Sequence, residues 1–140
     1  AAYELEIYVT CLRVEGVDTG IYWYDPFSHE LVAVSLGAES ANQVLSSARR
    51  SAGRNVNPQI ILTLTSRLGR LNWKYRSIAY ATTLKHVGVV YQTFYLVAAD
   101  MGLGACGLGS GNSDEFGDLL GLDYLKETSV GDFMLGVADS

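Results

Sequence analysis

The longest uninterrupted helical pattern in the chain runs from about Arg76 to Met101, and it limits the folds compatible with this sequence. Apolar side chains recur along it at steps of three and four residues, which is the period of a helix, and no proline interrupts them. They are Leu84, Val87, Tyr91, Phe94, Tyr95 and Ala98. Because the opposite side is only thinly polar, the pattern predicts a helix buried on most sides, by its own domain or also by a second subunit.

Three segments before this helix have the character of strands. Residues 3–14 alternate apolar and polar side chains, residues 20–24 are rich in aromatics, and residues 31–36 are mainly aliphatic. Turn residues at Gly16 and at Asp25 separate them. Connections this short are typical of antiparallel neighbours, so the three segments predict a meander.

A helix is predicted to follow this meander. Ser40 opens it, Gln43 lies at the capping-box position, and Gly53 ends it. The β-branched and aliphatic run from Gln59 to Thr65 then predicts a strand that is covered on both faces.

The segments after the long helix are shorter. Residues 103–108 are compatible with an extended segment, Asn112 is placed to cap a short helix with Glu115 at the box position, and residues 130–137 predict a closing strand. Together the elements predict an α+β fold, with an antiparallel-leaning central sheet flanked by helices and a long central helix. The length predicts one domain over residues 1–140.

Composition excludes several classes of protein. A net charge of −5 and a pI near 4.8 argue against a general nucleic-acid binder. No apolar run approaches the roughly 20 residues of a membrane span, and no signal peptide is visible. Cys11 and Cys106 are too few for a disulfide framework, which favours small core residues in a reduced cytoplasmic setting.

A basic and aromatic cluster, Trp73-Lys74-Tyr75-Arg76, precedes the long helix and follows Arg67 and Arg70. Burial and neighbouring arginines lower the pKa of a lysine, so one interpretation is an acid–base pair in which Lys74 takes a proton. Tyr75 would share that proton or hold a developing anion. The other interpretation is a helix start whose cations are simply solvated.

A glycine-rich segment, Gly102 to Gly111, follows the helix. Such a segment lets the backbone approach a flat or phosphorylated ligand closely. It also suits a loop that only needs tight turns, and both interpretations stay open. Its GxGxxG spacing follows a helix rather than a strand, so it is not a dinucleotide-binding fingerprint. His29 and His86 have no third ligand at metal spacing, and no metal site is expected.

At these residues the sequence resembles the SagB-type dehydrogenases of the flavin-dependent nitroreductase superfamily. The resemblance covers nearly the whole chain, and the Trp-Lys-Tyr segment is its most specific part. The matching segments are Tyr3–Val9, the Tyr22–Leu31 hairpin, Ile60–Arg67, Trp73–Tyr80, Val87–Gln92 and Met101–Cys106.

The resemblance implies an FMN enzyme that oxidises thiazoline or oxazoline rings to azoles in a ribosomally made peptide. It implies that Lys74 and Tyr75 are the catalytic pair, and that a glycine loop lies over the flavin ring edge. The matching loop positions are Gly107, Leu108, Gly109 and Ser110. It further implies an intertwined homodimer with FMN at the interface, a peptide substrate, and association with a cyclodehydratase.

The chain departs from the family in two places. The family's N-terminal phosphate-binding segment is absent, and Val137 stands where many relatives carry a basic residue. We therefore expect a complete FMN site to need further residues, for example from a second polypeptide. Two other functions remain open: another flavin oxidoreductase of the superfamily, such as a nitroreductase or a cyclic-dipeptide oxidase, and a catalytically silent partner subunit.

Overall fold

Six strands form one antiparallel sheet in the computed structural model, which describes residues 2–137. Their order across the sheet is β3-β2-β1-β4-β6-β5, and every neighbouring pair is antiparallel. The strands are β1 (Leu5–Cys11), β2 (Gly20–Asp25), β3 (Glu30–Leu36), β4 (Ile60–Ser66), β5 (Gly104–Leu108) and β6 (Thr128–Gly136). The predicted α+β class, the meander and the closing strand are confirmed.

Helices cover both faces of this sheet. They are α1 (Ala38–Ala52), α2 (Gly69–Tyr75), α3 (Ala79–Asp100) and α4 (Ser113–Leu120), with one 3₁₀ turn (Arg76–Ile78) between α2 and α3. The long central helix is therefore confirmed, although it begins three residues later than predicted. The sequence pattern did not predict α2.

One face of the sheet forms the main core with α1 and α4. Tyr8 meets Phe116 of α4 edge to face, with ring centroids 5.5 Å apart. The cluster comprises Tyr8, Ile21, Val44, Ala48, Ile61, Leu108, Phe116 and Met134. These apolar side chains hold α1 and α4 on the sheet by removing their surface from water.

The other face carries α3 across β5 and β6. Phe133 of β6 is fully buried there, and the rings of Tyr91, Phe94 and Tyr95 lie 5.4, 5.3 and 4.8 Å from it. Tilted and edge-to-face pairs at these separations are the arrangements that aromatic rings prefer. They fix the rotation of α3 above the strands.

Two predictions about burial need correction. The alternation of β1 is confirmed, but Glu6, Tyr8 and Thr10 form its more buried side, while Leu5, Ile7 and Val9 are only half-buried. An alternating pattern shows that a strand has two faces and does not show which face meets the core.

The second correction concerns α3. Only Ala79, Thr83, Val87 and Ala98 are buried in this helix. Large apolar side chains remain exposed: Tyr80, Leu84, Val89, Tyr95, Leu96, Val97 and Met101. The described chain therefore covers α3 from one side, and burial on most sides is wrong for a single copy.

The helix ends agree with the predicted caps in part. Gly53 ends α1 in the left-handed conformation, with φ of 64°, and the Asn112 side chain accepts the backbone N–H groups of Asp114 and Glu115. Ser40, however, is not the N-cap of α1. The helix begins at Ala38 after Gly37, and the Ser40 hydroxyl pairs with Ser35 at 2.7 Å.

Candidate functional site

The predicted catalytic pair lies at the end of α2. Trp73 and Lys74 are exposed and Tyr75 is half-buried, so the burial of Lys74 that the acid–base interpretation assumed is wrong for a single copy of the chain. The Lys74 ammonium lies 5.4 Å from the centre of the Tyr75 ring, within the range of a cation–π contact. Although adjacent in sequence, the two side chains thus occupy one region of the surface.

An irregular backbone makes this arrangement feasible. Arg76 has a φ of 46°, a conformation that non-glycine residues rarely adopt, and it ends α2 with its N–H bonded to the Asn72 carbonyl. Lys74 therefore lies in the last turn of a short helix rather than at the start of the long one. Asn72, which accepts this bond, lies inside α2. A cation in a last turn is favoured by the helix dipole.

The glycine segment divides into two parts. Gly107 and Leu108 belong to β5, an edge strand, where the Gly107 N–H donates to the Tyr95 hydroxyl at 2.6 Å and Leu108 is buried. Gly109 and Ser110 follow the strand and are exposed. Of the four predicted flavin contacts, these two offer accessible backbone.

Helix α1 supports the exposed part of this loop. The Ser51 hydroxyl donates to the Ser110 carbonyl, and neighbouring Arg50 forms an ion pair with Glu115. No sequence motif predicts this contact between α1 and the loop.

The space beside Gly109 is open, because a Cβ there would meet nothing within 4 Å, so the edge of a flat ring can approach this backbone. The phosphate of FMN needs cations, and Arg50, the cation beside this loop, already has a carboxylate partner. The fit is therefore to the ring edge, not to the whole cofactor.

Within one copy of the chain, the loop at residues 107–110 and the predicted catalytic pair, Lys74 and Tyr75, do not contact each other. The loop passes α3 at Tyr91, whose hydroxyl lies 3.5 Å from the Leu108 carbonyl. Tyr91 is about 18 Å along the helix from Ala79, whereas Lys74 precedes that helix. Among residues 2–137, no hydrogen bond or ion pair joins Lys74 or Tyr75 to residues 107–110.

We expect Gly107→Ala to destabilise the fold by about 1–3 kcal/mol, because its Cβ would lie 2.9 Å from the Tyr91 ring. Gly109→Ala is the matched control and should change the free energy of unfolding by less than about 0.5 kcal/mol. Urea denaturation of both variants measures the difference. Equal stability of the two would contradict the packing of Tyr91 against β5.

A cavity of about 650 Å³ lies between α1 and α4, and Asp132 of β6 lies at its floor. The Thr63 hydroxyl donates to Asp132 Oδ1 at 2.7 Å. Burial raises the pKa of the Asp132 carboxyl, and the Thr63 hydrogen bond opposes that shift only in part. No motif in the sequence indicated Asp132 as a candidate functional residue.

Asp132→Asn should stabilise the protein at neutral pH. A raised pKa means that the folded protein keeps this proton to higher pH than the unfolded chain, so stability falls as the pH rises above about 4. Asparagine keeps an acceptor for Thr63 and cannot ionise. A gain of about 1 kcal/mol, or roughly 4 °C in Tm, is expected at pH 7, disappearing towards pH 4.

Thermal unfolding between pH 4 and pH 8 measures this effect. Asp118→Asn, an exposed carboxyl on the rim of the same cavity, is the control and should leave Tm nearly unchanged. A destabilised Asp132→Asn variant at pH 7 would show that the ionised carboxylate has an unrecognised partner.

The two histidines have protein partners. His29 Nδ1 lies 2.6 Å from the Tyr24 hydroxyl, and His86 pairs with the buried carboxylate of Glu4. Within residues 2–137, no three side chains of the metal-ligating types come close enough to hold an ion. None of the helices in this part of the chain has the length and apolar character that crossing a membrane requires.

Comparison with known proteins shows the family. The model of the nitroreductase family matches residues 3–137. A protein of Methanocaldococcus jannaschii, whose name places it among the nitroreductases, is 31% identical over 120 residues, which are 86% of this chain and 60% of that protein.

Two solved structures share the fold. A chain of the Escherichia coli microcin synthetase McbBCD complex with truncated pro-MccB17 bound has a TM-score of 0.82 at 20% identity, over 99% of this chain and 53% of that one. A protein from Anabaena variabilis named as a nitroreductase has the same score and identity, over 96% of this chain and 27% of that one. The chain spans less than two thirds of each of these three proteins. Since the family model covers nearly every described residue, the chain belongs to the nitroreductase family.

Proposed function

We propose that this chain is part of an FMN-dependent dehydrogenase that oxidises thiazoline or oxazoline rings to azoles in a ribosomally made peptide. The observation that carries the proposal is the Lys74–Tyr75 pair. Both residues lie together at the irregular end of α2, and Lys74 is exposed to a substrate. A lysine that is only a solvated cation does not require the irregular backbone conformation at Arg76.

The chemistry divides between protein and cofactor. Aromatising an azoline removes two hydrogens from the ring, one as a proton and one as a hydride. Bound FMN supplies the acceptor for the hydride. Lys74 accepts the proton from the ring carbon as the neutral amine and becomes the ammonium, and the Tyr75 hydroxyl donates a hydrogen bond to the charge that develops on the ring.

The exposed loop holds the flavin ring edge in this proposal. The backbone of Gly109 and Ser110 contacts the ring, while Gly107 and Leu108 support the loop from within β5. The phosphate is held by a second polypeptide in this proposal.

A homodimer completes the site. Exposed Leu96, Val97 and Met101 lie within six residues at the end of α3, and patches of this kind on a soluble protein mark interaction surfaces. A second copy that covers them would bury the side of α3 that a single chain leaves exposed. An obligate interface of this sort buries more than about 2,000 Å² in total.

We therefore expect a dimer at micromolar concentration in sedimentation velocity. Leu96 is 63% exposed in one chain, so Leu96→Glu should leave the fold intact and raise the dimer dissociation constant at least about 10-fold. Glu15→Gln, at an exposed turn after β1, is the control. A monomeric wild-type protein at that concentration would contradict the proposed dimer.

A different flavin oxidoreductase is the second candidate, and it is favoured by the Methanocaldococcus relative, whose name refers to nitroreduction. A silent partner subunit is the third. The microcin synthetase neighbour was solved as a complex, and association of this chain with a cyclodehydratase remains part of the proposal.

Anaerobic mixing experiments separate these functions. The purified protein should show the absorbance of FMN, and an azoline peptide should bleach it without added reductant. Bleaching by NADPH alone, followed by reduction of a nitroaromatic compound, would favour the second candidate. A colourless protein that takes up no added FMN would favour the silent partner.

A further inference from the structure

Two buried carboxylates lie beneath the start of α2. Glu6 of β1 accepts hydrogen bonds from Arg67 Nε at 2.7 Å and Trp23 Nε1 at 3.0 Å, and Arg70 Nη1 lies 3.3 Å away. The Glu6 side chain is only 9% exposed. Its charge is therefore removed from water and depends on these partners.

Glu127, just before β6, is the second carboxylate. It accepts from the Tyr8 hydroxyl at 3.1 Å and the Thr65 hydroxyl at 2.6 Å, and Arg67 Nη2 lies 3.5 Å away. Arg67 thus bridges both acids, and its hydrogen bond to Glu6 raises the pKa of the guanidinium. Glu6, Glu127, Arg67 and Arg70 are called the anchor cluster below.

The anchor cluster is attached to α2 through its two arginines. Arg67 precedes the helix and Arg70 lies in its first turn, where the Arg70 carbonyl accepts the Trp73 indole N–H at 3.0 Å. Lys74 follows Arg70 by four residues, so the two occupy the same side of the helix on successive turns. Leu71 is the one residue of α2 that is buried. The contacts of α2 with the sheet are therefore few. Arg70 Nη1 also donates to the Tyr3 carbonyl, and the anchor cluster supplies the polar contacts to side chains.

A third buried carboxylate lies beyond Lys74 and Tyr75. Glu4, 2% exposed, pairs with His86 of α3. Both ends of the segment from Arg67 to His86 thus contact buried acids in β1 or just before it. Lys74 and Tyr75 lie between these two ends. Buried ion pairs add little net stability, because desolvation offsets their attraction, whereas they can fix one geometry.

We infer that Glu6, acting through Arg67 and Arg70, is a positioning residue that sets the place of Lys74 and Tyr75 in the reaction. The inference rests on the proposed function for the kinetic part of its test. Loss of the anchor lets α2 move while the core remains, and displacement of a catalytic group by about 1 Å costs up to 100-fold in rate.

The kinetic test is a double-mutant cycle in the FMN-loaded enzyme. Glu6→Gln should lower kcat for azole formation about 10- to 100-fold, with little change in KM, flavin content or oligomeric state. In a Lys74→Ala background, Glu6→Gln should cost clearly less than in the wild type, because the part of its effect that passes through Lys74 is already lost. Additive losses in the cycle would overturn the inference. Glu15→Gln is the matched control and should match wild type.

A second readout does not depend on azoline chemistry. Hydrogen exchange of the amides in residues 71–75 should be faster in Glu6→Gln, with the amides of β4 unchanged. Unchanged exchange in α2 would overturn the anchor even if the protein oxidised a different substrate. If Glu6→Gln does not fold, Arg70→Gln removes one contact to the same carboxylate. It should speed exchange in α2 too, and wild-type exchange would again reject the inference.

Discussion

Lys74→Ala is expected to lower azole formation by about 10²–10⁴-fold while the flavin content and the oligomeric state stay unchanged. The size of the loss is that of a positioned base. The fold should tolerate the change, because Lys74 is exposed and its described contact is with the Tyr75 ring. Single-turnover assays with a thiazoline peptide measure the chemical step directly.

Tyr75→Phe refines this prediction. Phenylalanine keeps the ring near the Lys74 ammonium and removes only the hydroxyl, so a large loss would assign the effect to that O–H group. Lys126→Ala is the control, since this exposed lysine pairs with Asp123 at 3.7 Å and is not a member of the proposed catalytic pair. Full turnover by Lys74→Ala would show that the lysine is a solvated cation.

Gly109→Val should reduce bound flavin more than about 10-fold without unfolding the protein. In the chain itself a Cβ at Gly109 meets nothing within 4 Å, and its φ is not in the left-handed region, so the fold accepts a side chain there. A flavin ring lying against that backbone would meet the branched side chain instead. Overlap of this kind costs more than roughly 1.4 kcal/mol of binding free energy, which corresponds to a 10-fold change in the dissociation constant of the flavin.

Gly109→Ala should give a smaller loss, because alanine adds a single methyl group. Flavin occupancy is measured from the ratio of visible to ultraviolet absorbance, with Tm as the check on folding. If Gly109→Val keeps the wild-type flavin content and Tm, the ring does not lie on this loop, and the cavity floored by Asp132 is the next place to examine.

Local signals predicted most of the fold. The β-branched run before Ser66 is a central strand, the alternation near Tyr8 is a strand, and Asn112 and Gly53 act as helix caps. Each of these depends on residues close in sequence. The prediction of Ser40 as the N-cap was wrong, because Gly37 is the N-cap and the helix begins one turn earlier. Local sequence rules do not distinguish a helix start at Gly37 from one at Ser40.

The candidate site was less predictable, because its geometry depends on distant partners. Helix α2 buries only Leu71, so it has no apolar period to detect. Glu6 is paired with Arg67, which lies 61 residues away in sequence, and Glu127 is bonded to Tyr8 across 119 residues. The sequence indicated Lys74 and Tyr75 through the family resemblance, but the acids beneath them became visible only in the folded chain.

Mass spectrometry of an azoline peptide tests the central claim most directly. The FMN-loaded protein is incubated with a peptide that carries one thiazoline and with its oxazoline counterpart, in the presence of oxygen to reoxidise the flavin. We predict the loss of two hydrogen atoms from a ring, abolished in Lys74→Ala and retained in Lys126→Ala. An unchanged peptide mass with a flavin-loaded, folded dimer would contradict the assignment as an azoline dehydrogenase.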